Sequence, residues 1–383
     1  MRIAFDHQAF CLQKMGGISR YFCSLAVQLV WQGEQAGIFA PFYRNVYLRD
    51  VPADAVHGRA VRDYPPRLAG LAVAANGWLA RPMMRRFLPD VVHETYFAKR
   101  RAEPILRPHV LTVFDMISEL MALDTPTPES ALRKTAKYKA VARADHVICI
   151  SETTRQDLIR LFDLPAHKVS VVHLGCDSAC GDPDEIAPGA ATGDRPYLLY
   201  IGLRGGYKNF TAMLEGIAAS ERLKRVFDVV AFGGGAFTAQ ERAQIADLGF
   251  AERQVRHAGG DDRAMSRLYR GASALVYPSR YEGFGLPPLE AMSYGCPVVA
   301  SSAAAMPEVI GDAGEYFDPD RPDSIAPAIE RIVFSQERTD ELIELGRRRA
   351  ALFTWKRCAD ETLGVYRQLV PGAAGNPMAG VPK

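Results

Sequence analysis

The stretch Val276 to Glu290 reads VYPSRYEGFGLPPLE, a short apolar strand that runs into a glycine-containing loop and then a helix beginning near Pro287. Proline suits the first turn of a helix, where its missing N–H would have no partner in any case. The loop Gly283-Phe284-Gly285-Leu286 therefore brings backbone N–H groups to a helix N-terminus, where unpaired donors and the helix dipole favour an anionic ligand. Glu282 and Glu290 flank that loop. A strand, a loop and a helix in this order form the repeating unit of a parallel sheet covered by helices.

The same alternation extends in both directions. Arg2 to Phe5 is apolar, and Ile18, Tyr21, Phe22, Leu25, Ala26 and Leu29 recur at helical spacing on one face. Short apolar runs follow at Asp90 to His93, Val110 to Phe114, His146 to Ile150 and Val169 to His173, with Ser151 a good N-cap after the strand VICI. Gly181 to Pro196 (GDPDEIAPGAATGDRP) then breaks the pattern with Gly, Pro and Asp, as an interdomain linker does. Strand-like runs resume at Tyr197 to Ile201, Val226 to Phe232, Ala274 to Tyr277 and Pro297 to Ala300.

These runs predict an α/β protein of two Rossmann-like, doubly wound domains facing across a cleft, with ligands beyond the carboxyl ends of the strands. The expected divisions are residues 1–180, a linker at 181–195, a second domain at 196–352, and a helix at 353–370 that crosses back to the first domain. Its stripe is Trp355, Ala359, Leu363, Tyr366 and Val370. A Pro/Gly/Ala-rich tail at 371–383 is expected to be disordered.

A chain of 383 residues is long enough for two cores, and a net charge of +2 argues against nucleic acid as partner. Seven cysteines without a CxxC pair, and an opening strand with no basic leader before it, point to a reducing cytoplasm. No apolar run is long enough to span a bilayer. Arg67 to Leu88 (RLAGLAVAANGWLARPMMRRFL), followed by Lys99, Arg100 and Arg101, interleaves apolar and basic residues, so it is either a core-facing helix with a solvated edge or a segment that lies on an anionic membrane.

Glu282 and Glu290 around GFGLPPL, followed by AMSYGCPVVAS and PEVIGDAG, resemble the signature of the GT-B retaining glycosyltransferases of family four. GGISRY at Gly16 to Tyr21, VICISETTRQDLI at Val147 to Ile159, VVHLGCD at Val171 to Asp177 and YIGLRGGYKN at Tyr200 to Asn209 extend the resemblance over most of the chain in the right order. It implies a nucleotide-sugar donor held by the C-terminal domain and an acceptor held by the N-terminal one. Glu290 would hold the donor ribose, Glu282 would lie by the transferred sugar, and Arg204 with Lys208 would neutralise the diphosphate. Gly16 and Gly17 would let the N-terminal backbone approach the donor phosphate. Gly283, Phe284, Gly285 and Leu286 complete the implied donor site, and Glu282, Arg204, Lys208 and Asp115 the implied catalytic set.

Relatives often carry a histidine before the aspartate that follows the fourth strand, whereas this chain has Phe114 before Asp115. Asp115 is thus an acceptor-side candidate without that neighbour, together with His93 and Glu94. No metal is expected: the two Asp-x-Asp matches, Asp182/Asp184 and Asp318/Asp320, fall in the linker and in a turn. Gly233-Gly234-Gly235 falls short of a dinucleotide fingerprint because Thr238 stands where its third glycine belongs. The opening and the TVxDM strand resemble the subgroup that builds bacterial surface polysaccharides, lipopolysaccharide and exopolysaccharide. That subgroup implies GDP-mannose or a related sugar as donor, a lipid-diphosphate-linked saccharide as acceptor, and peripheral contact with the inner face of the cytoplasmic membrane. A sugar epimerase or an inactive nucleotide-sugar-binding homologue on the same fold is the alternative.

Overall fold

The computed structural model describes residues 1–61, 69–97, 107–121, 128–176 and 195–370. The linker expected at 181–195 lies almost wholly outside them, as do Asp182, Asp184, Lys99, Arg100, Arg101 and the tail after residue 370. The chain divides into two compact units, residues 1–175 with everything from Trp355 onward, and residues 176–354.

The first unit is built on a seven-stranded parallel sheet in the order β3-β2-β1-β4-β5-β6-β7. Its strands are β1 (Arg2–Phe5), β2 (Gln35–Tyr43), β3 (Val56–Ala60), β4 (Val91–Glu94), β5 (His109–Val113), β6 (His146–Cys149) and β7 (Val169–Val171). β4, β5 and β6 are buried at every position, their polar members His93, Glu94, His109, Thr112 and His146 included. β2 and β3 lack that signature. β2 contains Pro41, its register with β3 shifts between Phe39 and Phe42, and Gly58 of β3 lies so close to the Ala40 carbonyl that no side chain fits there.

Helices Gly17–Trp31 and Trp355–Leu369 pack on each other within this unit. The first carries its buried stripe at Tyr21, Phe22, Leu25, Ala26 and Leu29. The second buries Trp355, Cys358, Ala359, Thr362, Leu363, Val365 and Tyr366, so the last described helix of the chain completes the core of its first unit. Ser151 caps the helix Glu152–Phe162, its hydroxyl accepting from the Thr154 N–H at 3.0 Å.

The second unit holds a six-stranded parallel sheet in the order β10-β9-β8-β11-β12-β13. Its strands are β8 (Tyr197–Ile201), β9 (Asp228–Phe232), β10 (Val255–Ala258), β11 (Ala274–Tyr277), β12 (Val298–Ser301) and β13 (Glu315–Phe317). The run beginning at Val226 enters its strand two residues late, because Ser220 caps a short helix, Glu221–Val226, that claims Val226 first. Successive strands step one way from β8 to β10, and the chain then returns to β11 on the other side of β8. The carboxyl ends of β8 and β11 therefore flank the point where the winding reverses, the place where such sheets bind ligands.

Candidate active site

Two loops meet at that point. The one after β8 carries Arg204 and Lys208, and the one after β11 carries Glu282. The Arg280 N–H donates to the Tyr207 carbonyl at 2.8 Å and so pins the two loops together through their backbones. Lys208 Nζ donates to Glu282 Oε1 at 2.6 Å and lies 3.4 Å from the Tyr277 hydroxyl. Both members of the ion pair are mostly withdrawn from water, at 15% and 11% side-chain exposure, so they hold each other against a substantial desolvation cost. Burial, with the adjacent Glu282 charge second, raises the pKa of the Tyr277 hydroxyl well above the usual tyrosine value, so it stays a neutral donor.

Glu290 lies in the helix Leu286–Ser293 that follows the loop, and the buried Tyr269 hydroxyl donates to its Oε2 at 3.0 Å. Tyr269 in turn stacks on Tyr294 at 5.7 Å. Each glutamate thus rests on a buried tyrosine at its back, a support that sequence reasoning missed because Tyr277 stands only as the end of an apolar run and Tyr269 falls in no motif. Gly285 has φ 120°, and a Cβ there would come within 2.6 Å of Met306. The positive φ reserves the position for glycine, since the Met306 atom that a Cβ would meet is the movable tip of a flexible side chain. The helix itself offers fewer donors than its position implies, since Pro287 and Pro288 occupy its first turn and have no N–H. The amides of Gly285 and Leu286 donate to no protein acceptor among the described residues. Phe284 turns inward, 3% exposed and edge-on to Phe353 at 5.8 Å, so its side chain faces the core and only its backbone borders the loop.

Arg204 does not join Lys208. Its guanidinium is held by Glu241, Nε to Oε1 at 2.7 Å, and by the Gly233 carbonyl at 2.8 Å. Arg204 also holds the Glu241 carboxyl down to about 2. The expected pair of diphosphate-facing cations is therefore divided between two carboxylates.

In the first unit, Gly16 precedes the helix Gly17–Trp31 with φ 167°, extended backbone that any residue adopts. Having no side chain, it leaves the capping to Gln13, whose Oε1 accepts from the Ser19 N–H at 3.1 Å. Asp115 Oδ1 accepts from the Ile117 N–H at 3.1 Å and starts a short helix, Ile117–Leu120. Phe114, in the place of the common histidine, packs edge-on to Tyr21 at 5.3 Å.

His93 and Glu94 are corrected as acceptor-side candidates, because both are buried and bonded within the fold. His93 is wholly buried, with Nδ1 2.5 Å from the Tyr366 hydroxyl and Nε2 2.8 Å from Thr112 Oγ1. Glu94, 2% exposed, is shared between His109 and Arg143. Burial lowers the His93 pKa to about 3, so the ring stays neutral in the fold and would be protonated in the unfolded chain below about 6.5. The folded state then binds fewer protons, and stability falls as the pH drops through that window, by at most about 1.4 kcal/mol per unit. His93→Asn is expected to flatten the acid limb of the melting temperature between pH 6.5 and 4.5. An unchanged slope would show that His93 does not report on this burial.

Asp318 accepts from the Asp320 N–H at 2.9 Å, and Asp320 pairs with Arg280 at 3.0 Å, so this Asp-x-Asp is folded into its own turn. Among the described residues no group of three or more His, Cys, Asp or Glu side chains is gathered as metal ligands.

Two parallel-sheet Rossmann-like units make the GT-B fold, and in the second a lysine–carboxylate pair stands where the sheet reverses its winding, as suits the glycosyltransferases of that fold. The chain belongs to family four of these enzymes: residues 15–179 match Glycosyltransferase Family 4, and residues 182–349 match Glycosyl transferases group 1. It is 31% identical over 251 residues to O-antigen chain mannosyltransferase B of Escherichia coli, spanning 63% of this chain and 66% of that one. A D-inositol 3-phosphate glycosyltransferase of Nocardioides is 25% identical over 92% of this chain and 85% of its own. The fold matches a crystallised glycosyltransferase involved in lipopolysaccharide biosynthesis, with TM-score 0.69 and 16% identity over 97% of this chain and 100% of that one.

Proposed function

We propose that the protein transfers a hexose, mannose or a close relative, from a nucleoside-diphosphate donor, GDP-linked, to a lipid-diphosphate-linked saccharide during surface polysaccharide synthesis. The observation that carries this reading is the Lys208–Glu282 pair across the β8/β11 reversal, with Glu290 on the helix that follows. The likeness to an O-antigen chain mannosyltransferase supports the sugar and a surface polysaccharide as its destination. An MMP α-(1→4)-mannosyltransferase of Mycolicibacterium hassiacum, 29% identical over 62% of this chain and 57% of its own, supports the same sugar.

In this reading Glu290 accepts from the ribose hydroxyls, and Lys208 meets the negative charge that grows on the diphosphate as it leaves. Glu282 faces the sugar as it gains oxocarbenium character. The bond from the anomeric carbon to the phosphate oxygen breaks, the acceptor oxygen bonds to that carbon from the same side, and the acceptor proton passes to a phosphate oxygen. The configuration is retained. Because an ammonium and loop amides can stabilise the diphosphate, no metal is called for.

A thermal-shift panel of UDP, GDP, dTDP and ADP tests the donor, since a nucleotide that binds only the folded state raises the melting temperature. GDP is expected to give the largest rise, and transfer from the matching donor is expected to continue in excess EDTA. A larger shift with UDP would sink the GDP assignment, and activity lost in EDTA and restored by Mg²⁺ or Mn²⁺ would sink the metal-free mechanism. The inositol-phosphate relatives favour a second reading, in which a phosphorylated cyclitol replaces the lipid-linked acceptor. Product formation with inositol phosphate and none with lipid-linked saccharide would select it.

Peripheral contact with the inner face of the cytoplasmic membrane is part of the first reading. The helix Ala69–Phe87 packs Ala80 and Met84 against Ala4, Phe39 and Val92, and exposes Leu71 and Trp78, two turns apart, on its outer side. Arg85 and Arg86 are exposed in its last turn, and no described helix is long and apolar enough to cross a membrane. Binding to vesicles containing phosphatidylglycerol is expected to exceed binding to neutral vesicles and to weaken with salt. Equal partitioning to both would remove the electrostatic part of the claim.

A further inference from the structure

The guanidinium of Arg204 is almost sealed from solvent, its side chain 4% exposed, and each of its three nitrogens donates to a protein acceptor. Besides Glu241 Oε1 and the Gly233 carbonyl, Nη2 lies 3.3 Å from the Gly234 carbonyl, 3.2 Å from the Ala236 carbonyl and 3.4 Å from Glu241 Oε2. Its carbon sits 4.7 Å from the centre of the Phe237 ring. Glu241 is fixed in its own right, because it closes a capping box with Thr238 at the start of the helix Ala239–Asp247. One arginine from the loop after β8 thus fastens the loop after β9 to the head of the next helix.

The loop it fastens is Gly233-Gly234-Gly235, with φ of 94°, 72° and 72°. Within one trans peptide unit the C=O and N–H point in opposite directions. Turning the Gly233 and Gly234 carbonyls onto Arg204 therefore turns the Gly234 and Gly235 amides away from it, and neither amide donates to a protein acceptor among the described residues. Successive amides that a turn leaves without protein acceptors can donate together to an anion. Without Arg204, nothing in this glycine run would keep its carbonyls from pointing the other way. Its charge, meanwhile, is already matched by Glu241, so direct contact with a diphosphate would require breaking an ion pair and three carbonyl hydrogen bonds.

We propose that Arg204 is a positioning residue, which sets the triglycine loop for the donor through its clamp on Glu241 and the loop carbonyls and does not itself touch the diphosphate. The inference rests on the donor site of the proposed function. Calorimetry with whichever of UDP, GDP, dTDP and ADP binds most tightly, on R204Q, E241Q, their double variant and R204K, tests it. Each single variant is expected to weaken nucleotide binding about ten-fold, as the loss of a charge-assisted hydrogen bond does, and the double variant to be no weaker than R204Q. R204K is expected to fail like R204Q, because an ammonium cannot reproduce the guanidinium fork. Gly234→Ala, whose Cβ would come 2.8 Å from Arg204 Nη1, disturbs the clamp with every charge kept and should show the same loss even where an Arg204 variant folds poorly.

Binding that stays the same or tightens in E241Q while R204Q is weak would mean that Arg204 reaches the ligand directly, and would overturn the proposal. Lower melting temperatures with unchanged affinities would reduce the clamp to a structural role and overturn it equally. If the wild-type protein bound none of the four nucleotides, the donor reading would fall and the inference with it. If Glu290→Gln weakened binding and the clamp variants did not, the inference alone would fall.

Discussion

Glu282→Ala is expected to lower turnover at saturating donor while leaving affinity for the free nucleoside diphosphate nearly intact, and Glu290→Ala is expected to weaken that affinity. Removing one charge-assisted hydrogen bond costs about 1.5 to 3 kcal/mol, roughly ten-fold to over a hundred-fold in the affected constant. The asymmetry follows from the placement of the two groups. Glu290 sits on a helix against Tyr269 and would meet a part of the donor that does not change during reaction. Glu282 stands in the loop after β11 beside Lys208, where in the proposed reaction charge develops on the departing sugar and diphosphate. Its loss also leaves Lys208 without its acid partner, and an unpaired ammonium attracts a diphosphate, which helps to preserve nucleotide affinity. Calorimetry with the free nucleotide, set beside turnover, reads both roles. A Glu282→Ala protein that no longer binds nucleotide, alongside a Glu290→Ala protein that binds it normally, would reverse the assignment.

A second large effect is expected at Tyr366. Its ring is fully buried and its hydroxyl meets His93, so Tyr366→Ala empties a large volume and removes a partner from a buried imidazole. A truncation of this size in a core costs about 3 to 5 kcal/mol, before the orphaned histidine is counted. For a unit of this size each kcal/mol lowers the midpoint by roughly 2 to 4 °C, so a fall of about 10 °C is expected. Hydrogen exchange would locate it: protection should drop in β1, β4 and the helix Gly17–Trp31 and persist in β8 and β11. An equal loss in both sheets, or none, would contradict the account of the last helix as part of the first core.

The readable parts of the fold were those whose burial is uniform. β1, β8 and β11 begin and end where the apolar runs at Arg2, Tyr197 and Ala274 do, because strands covered on both faces admit little else. β3 reads VHGRA and β10 reads VRHA; both lie at sheet edges, where one side is unpaired and polar residues are admitted, so neither stood out. At the site, Lys208 and Glu282 could be named because each stands in a motif just after a strand, YIGLRGGYKN and EGFGLPPLE, that resembles the family's. What could not be read was which groups would already be engaged. Glu241 reaches Arg204 from 37 positions away, and Tyr366 reaches His93 from 273, and no spacing rule links such pairs. An isolated His-Glu pair at a strand end looks the same in sequence whether it is a reactive couple or a buried brace.

The helix Trp355–Leu369 bears on the order in which the molecule can be made. The unit of residues 176–354 is continuous, so every residue it needs has been synthesised before Trp355 is added. The unit that begins at Met1 is different: although its sheet is translated first, the surface of helix Gly17–Trp31 that this last helix covers stays open until residues beyond the whole second unit have been added. Completion of the first unit therefore waits for residues that are translated after the whole of the second. During that interval the incomplete first unit is the form most exposed to chaperones and proteases, and a stop codon shortly before residue 355 would leave a chain with one finished half and one that cannot be finished.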